Sequence, residues 1–151
     1  MKKLLRSPAV NAVCISLFSA FYAVVFFVTS KNTGVEDSLY DKETASFWPA
    51  WSGFLASGHQ RCIAAALIAV TVLIVVLLVL RRQAYDEYHI SILTHCLVVA
   101  AVLTLAAIAV FYLMILNESA GIIEKFTLFI VIHWTTVVFA NLTYVLLCRW
   151  R

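Results

Sequence analysis

Four long stretches without a charged side chain dominate this chain of 151 residues, at about residues 9–29, 62–80, 90–116 and 126–148. Each is long enough for a helix to cross the hydrocarbon core of a bilayer, which takes about 20 apolar residues. Hydrophobic residues make up 64% of the chain and charged residues 13%, whereas soluble domains are about half apolar and about a quarter charged. The sequence therefore predicts an all-α integral membrane protein, a single membrane domain over residues 1–151 that forms an antiparallel four-transmembrane-helix bundle.

The lysines and arginines beside the spans predict the orientation, because basic residues are retained on the cytoplasmic side. If both termini are cytoplasmic, the inner side carries Lys2, Lys3, Arg6, Arg81, Arg82, Arg149 and Arg151, and the outer side carries Lys31, Lys42, Arg61 and Lys125. We therefore predict a multi-pass protein of the cell membrane with both termini in the cytoplasm. These basic residues lie next to apolar runs and form no basic face, so the expected surroundings are the lipid bilayer, and no nucleic-acid partner is expected.

The first outer loop, at about residues 31–60, has two chemically different parts. Its first half mixes acidic and basic residues and should be solvated. Its second half, at about residues 47–60, is rich in aromatic residues, and such rings favour the headgroup level of a membrane. We predict a short interfacial helix there, anchored by Phe47, Trp48, Trp51 and Phe54.

Polar side chains inside the predicted spans are the candidates for function, because an ionisable group in a membrane is costly to keep there. His133 is the most deeply placed, and Thr136, Asn141 and Thr143 extend a polar stripe along the same helix; His95 lies in the third span. The structural interpretation is that His133 makes one hydrogen bond between helices. We expect a neutral His133 bonded to a threonine, an asparagine or a backbone carbonyl, with no second ionisable group beside it.

Several kinds of chemistry are disfavoured by residue placement. The two histidines inside spans, His95 and His133, lie at different depths in antiparallel helices, so they do not form a matched axial pair for haem. The four cysteines have no metal-binding spacing, and none of the acidic residues lies within a predicted span to couple proton transport. We therefore predict no catalytic residue, metal site or cofactor.

Small residues on the spans predict where helices pack, because they let two backbones approach closely. The first span carries Ala12, Ser16 and Ala20 at four-residue spacing, with Ser19 and Ala23 beside them. The second span offers Ala65 and Ala69. The third offers Ala100, Thr104 and Ala107.

Three functions remain open from the sequence. The leading hypothesis is a non-enzymatic accessory, assembly or interaction protein whose partner is another membrane protein or a second copy of itself. The first alternative is a small transport or permeation unit that uses the polar stripe on the fourth helix. The second alternative, and the weakest, is a membrane-embedded enzyme acting on a lipid. The sequence resembles no family specifically enough to choose among them.

Overall fold

The computed structural model describes residues 7–32, 47–80, 86–117 and 121–149. Five α-helices occupy these ranges: α1 (Pro8–Ser30), α2 (Phe47–Phe54), α3 (Gln60–Leu80), α4 (Glu87–Asn117) and α5 (Ile122–Arg149). Helices α1, α3, α4 and α5 are long and apolar enough to cross a membrane. The predicted all-helical class and the number of candidate spans are therefore confirmed.

Several basic residues that predict the orientation lie outside the described residues. They are Lys2, Lys3, Arg6, Lys42, Arg81, Arg82 and Arg151. The charged part of the first loop, residues 33–46, also lies outside them.

Local sequence explains where several helices begin and bend. Pro8 is the first residue of α1, a position where its missing N–H removes no helical hydrogen bond. Asp86 precedes α4, and its Oδ1 accepts the His89 backbone N–H at 2.9 Å, which is the geometry of an N-terminal cap. Between α2 and α3 lies a π-helical turn, Leu55–His59, in which Gly58 has φ +90°. A residue with a side chain is strained in that left-handed conformation, so the kink depends on glycine.

Helix α5 is the centre of the fold. One of its faces packs on α1 and α3, and α4 packs on the opposite face. Among the described helices, α4 makes its extensive contacts with α5 alone. The arrangement is thus a three-helix core with α4 attached to one side, which differs from the compact bundle of four that was expected. Short loops dictate that neighbouring spans run antiparallel, but they do not dictate that the spans close into a ring.

The faces on which α1 and α3 pack agree only in part with those predicted from small residues. In α1, Ala12, Ser19 and Ala23 are buried and Ser16 is half-buried, whereas Ala20 is exposed. In α3 the prediction was wrong, because Ala65 and Ala69 are both exposed, and the buried residues are Ala64, Leu67, Thr71, Ile74 and Leu78. The α4 prediction agrees better, because Ala100 is buried and Thr104 and Ala107 are half-buried. A membrane helix is apolar all round, so hydrophobicity does not single out the packed face.

Helix α2, the end of α1 and the beginnings of α3 and α5 lie at one end of the molecule, which we call the α2 end. Here α2 contacts α5 directly, and the Lys125 ammonium lies 5.6 Å from the centre of the Trp48 ring. That distance suits a cation–π interaction.

Candidate functional site

His133 lies at the junction of α1 and α5, where its Nδ1 shares a hydrogen bond with the Tyr22 hydroxyl. The Tyr22 and His133 rings meet edge to face at 5.0 Å between centroids. Two further rings border the histidine, with centroids 5.8 Å away at Phe18 and 6.0 Å away at Phe129. His133 is therefore half-buried in an aromatic pocket.

The partner of His133 differs from the expectation, because it is a tyrosine hydroxyl and not a threonine, an asparagine or a backbone carbonyl. The expectation that no second ionisable group lies beside His133 was also wrong, since the Tyr22 phenol is ionisable. Comparing the depths of residues in the first and fourth spans could have identified Tyr22 as the partner. Tyr22 lies seven residues before residue 29, the predicted end of its span, and His133 lies seven residues after residue 126, the predicted start of its own. In antiparallel helices that cross the same bilayer, equal distances from the same side place two side chains at one level.

A buried chain of hydrogen bonds crosses from α5 through α1 to α3, one turn from His133. The Trp134 indole N–H donates to Ser19 Oγ at 2.9 Å, Ser19 Oγ lies 3.0 Å from Thr71 Oγ1, and the Thr71 hydroxyl donates to the Leu67 carbonyl at 2.8 Å. Because Thr71 has one hydroxyl hydrogen and uses it on Leu67, the Ser19 hydroxyl must donate to Thr71. Every donor in the chain therefore has an acceptor.

The polar residues predicted on α5 do not meet at one place. Thr136 donates to the Ile132 carbonyl of its own helix at 2.8 Å, and it lines a groove toward α4 together with Thr143. Asn141 is buried, and its Nδ2 donates to the Val137 carbonyl at 3.0 Å. Its Oδ1 is buried without a hydrogen-bond partner. His133 faces α1, so the four side chains line no common path within this chain.

His95 lies on α4, away from His133. It is exposed, and its Nδ1 is 2.7 Å from the Ser91 carbonyl oxygen one turn earlier in the same helix. Within the described ranges, no group of three or more histidine, cysteine, aspartate or glutamate side chains is placed to hold a metal ion.

The predicted aromatic anchors form a ladder of rings along α2. Phe47 stacks on Trp51 at 6.3 Å, Trp51 on Phe54 at 5.8 Å, and Phe54 on His59 at 4.7 Å between ring centroids. The ring of the fourth anchor, Trp48, meets Phe47 edge to face at 5.2 Å between centroids, and it lies 5.6 Å from the Lys125 ammonium. The ladder leaves Phe47 and Phe54 exposed on one side of α2, while Ser52 and Leu55 are buried on the other.

The α2 end also contains buried polar groups that the sequence did not reveal. Glu124, in the first turn of α5, is 1% exposed, and its Oε2 has no hydrogen-bond partner. On the α2 side, the Trp51 indole N–H, the Ser52 hydroxyl and the Gln60 side-chain oxygen are likewise buried without partners. The position of Glu124 beside a span end made it look solvated, and only the packing of the molecule covers it.

No protein family model, curated protein or solved structure matches this chain.

Proposed function

We propose that this chain is a non-enzymatic membrane protein that acts by binding another membrane protein through α4 and the groove between α4 and α5. The main support is the exposure of α4. Of its most apolar 18-residue window, 6% is buried inside the protein, compared with 28–33% for the other three long helices. α4 thus has more free surface for a further helix than any of its neighbours.

The groove beside α4 supports a helical partner. It has a volume of about 380 Å³ and combines small side chains, such as Ala100 and Ala140, with hydroxyl groups, such as those of Thr135 and Thr143. Lipid chains are as apolar as leucine, so helices associate in a bilayer through close packing and hydrogen bonds more than through hydrophobicity. Small residues permit such packing, and threonine hydroxyls can bond across the contact.

The proposal includes the orientation and the role of α2. Both termini are placed in the cytoplasm, and the α2 end faces the outside, where the Phe47–Trp51–Phe54 ring ladder lies at the headgroup level. The support is the basic residues beside the spans and the exposed aromatic side of α2. This arrangement leaves the α4–α5 groove facing sideways within the bilayer, where another transmembrane helix could enter.

The transport alternative has less support, because His133 bonds Tyr22 of α1, whereas Thr136 and Asn141 bond carbonyls of α5 itself. The lipid-enzyme alternative would need a second reactive group beside His133. The polar neighbour there is the Tyr22 hydroxyl, which is already hydrogen-bonded to His133. Neither the polar residues of α5 nor the His133–Tyr22 pair favours transport or catalysis over binding.

Photo-crosslinking in native membranes tests the proposal. A photoreactive amino acid at Leu103, which lines the groove, should give one discrete adduct with another membrane protein. The same amino acid at Leu17, an exposed position on α1, should give lipid adducts only. An adduct with twice the mass of the chain would identify a second copy as the partner and would contradict the proposal of a different protein.

A pair of matched variants tests the groove. Ala140→Leu places a larger side chain in the groove and should abolish the adduct, because close approach of backbones needs small residues. Ala101→Leu makes the same change on an exposed part of α4 that does not line the groove, and it should leave the adduct unchanged. Equal effects of the two variants, or a protein that is always purified alone, would overturn the proposal.

A further inference from the structure

Helix α2 contacts the beginning of α5, where Trp48 lies beside Lys125, and both helices carry buried polar groups. Ser52 is 1% exposed, as is Glu124, yet the Ser52 hydroxyl and the Glu124 Oε2 make no hydrogen bond within the described residues. In the same part of the chain, the buried Trp51 indole N–H also has no acceptor. A buried polar atom without a partner costs the full penalty of removing it from water. Such penalties weaken the packed arrangement relative to one in which α2 moves aside and water reaches these atoms.

Other contacts hold α2 in place. Leu55 is fully buried at the end of α2, and Trp48 lies under the ammonium of Lys125. The packed arrangement is therefore stabilised by apolar burial and a cation–π contact. It is destabilised by the buried polar atoms of Ser52, Trp51 and Glu124 that make no hydrogen bond within the described residues. Segments with such opposing contributions open locally at a free-energy cost below that of global unfolding.

Gly58 is a suitable pivot for this movement. Gly58 lies in the π-helical turn between α2 and α3 with φ +90° and ψ 0°. A Cβ atom built at Gly58 would meet no other atom within 4 Å, so packing does not require glycine there, and only the backbone conformation does. If α2 swings away, Gly58 can change its backbone angles without disturbing α3.

We propose that α2 is a hinged cap, pivoting at Gly58, which in its closed position covers the carboxylate of Glu124 and in its open position exposes it to solution. This movement does not depend on the partner proposed for α4, because it involves the contact between α2 and the beginning of α5 and not the groove between α4 and α5. The Glu124 carboxylate is therefore accessible from solution only when the cap is open.

Cysteine labelling measures the opening. Ser52→Cys is a nearly isosteric reporter, and it is made in a background with Cys14, Cys62 and Cys96 changed to alanine because these three are not fully buried. A membrane-impermeant maleimide is applied to the protein in detergent micelles. We expect labelling that is slow but measurable, and much slower than that of Ala56→Cys, an exposed position on the same turn.

The hinge is tested by two matched glycine variants. Gly58→Ala should speed the labelling at position 52 by about tenfold, because alanine is strained in the left-handed conformation of the closed cap. Gly53→Ala should not speed it, because Gly53 is helical and has free space for a Cβ. Gly58→Asn should fall between the wild type and Gly58→Ala, since asparagine tolerates positive φ better, and this variant serves if Gly58→Ala fails to fold.

The position of Glu124 under the cap is tested by charge removal. Glu124→Gln should slow the labelling at position 52 by about fivefold, because a neutral amide costs less to bury than an unpartnered carboxylate. Glu87→Gln, at an exposed carboxylate in the first turn of α4, should have no effect. The proposal is overturned if position 52 is labelled as fast as position 56, if Gly58→Ala behaves like Gly53→Ala, or if Glu124→Gln changes nothing.

Discussion

Ser19 is expected to be a large single contributor to the stability of the helical core. Its hydroxyl accepts from Trp134 at 2.9 Å and donates to Thr71 at 3.0 Å, so it joins α5 and α3 to α1. Ser19→Ala removes both bonds, each worth about 0.6 kcal/mol on average between membrane helices. It also leaves the Trp134 N–H, on a fully buried side chain, without an acceptor, at a cost of about 1–3 kcal/mol.

These contributions predict that Ser19→Ala lowers the free energy of unfolding by about 2–4 kcal/mol. The measurement is reversible unfolding in mixed micelles with an increasing fraction of denaturing detergent, followed by helical circular dichroism. The matched control is Ser16→Ala, one turn earlier in α1. The Ser16 hydroxyl bonds only the Ala12 carbonyl of its own helix at 2.8 Å, so this variant should lose no more than about 0.5 kcal/mol.

A double-mutant cycle separates the hydrogen bond from the packing of the indole ring. Trp134→Phe removes the N–H donor, and in that background Ser19→Ala no longer leaves a buried donor unpaired. The cost of Ser19→Ala should therefore fall to about 0.6 kcal/mol, the worth of the remaining bond to Thr71, when Trp134 is replaced. If Ser19→Ala costs no more than Ser16→Ala, or costs the same with and without the indole, the hydrogen-bond chain does not stabilise the core as described.

Three further predictions concern other parts of the protein. Tyr22→Phe should lower the free energy of unfolding by about 1 kcal/mol, whereas His133→Gln should retain most of it because an amide can still bond the Tyr22 hydroxyl; an equal and large loss in both variants, measured by the same unfolding titration, would contradict this. Asn141→Leu should be neutral or stabilising in that titration, because it removes a buried oxygen without a partner, and a loss above about 2 kcal/mol would show that Asn141 makes an essential bond. In intact cells, a membrane-impermeant maleimide should label the exposed Cys62, and protection of Cys62 until the membrane is opened would reverse the proposed orientation.

The number and extent of the long helices could be predicted because they depend on one property, the length of uncharged apolar sequence. Each predicted span lies within a single helix. The packed faces could not be predicted in the same way, since both Ala12–Ser16–Ala20 and Ala12–Ser19–Ala23 offer small residues at helical spacing. Choosing between them requires knowing that Ser19 meets Thr71 and Trp134, and that depends on the rotation of two other helices.

The candidate sites were only partly accessible to sequence reasoning for a related reason. His133 stood out because an ionisable side chain in a span is unusual, but its partner had to be found by comparing depths in two antiparallel helices. Glu124 was hidden by its position, because a carboxylate in the first turn of a helix is normally solvated and interacts well with the helix dipole. Its burial is a property of the folded molecule, which no local sequence pattern indicates.

The position of α5 has a consequence for how the protein is made. During insertion into the membrane, α1 and α3 can pair first, but Ser19 then has no indole to bond and α4 has no extensive neighbour. Both conditions end only when α5, the helix furthest along the chain, enters the bilayer. A chain interrupted before that point would carry a helix without its main packing partner and an incomplete polar contact. The core can therefore become complete only after α5 has entered the bilayer.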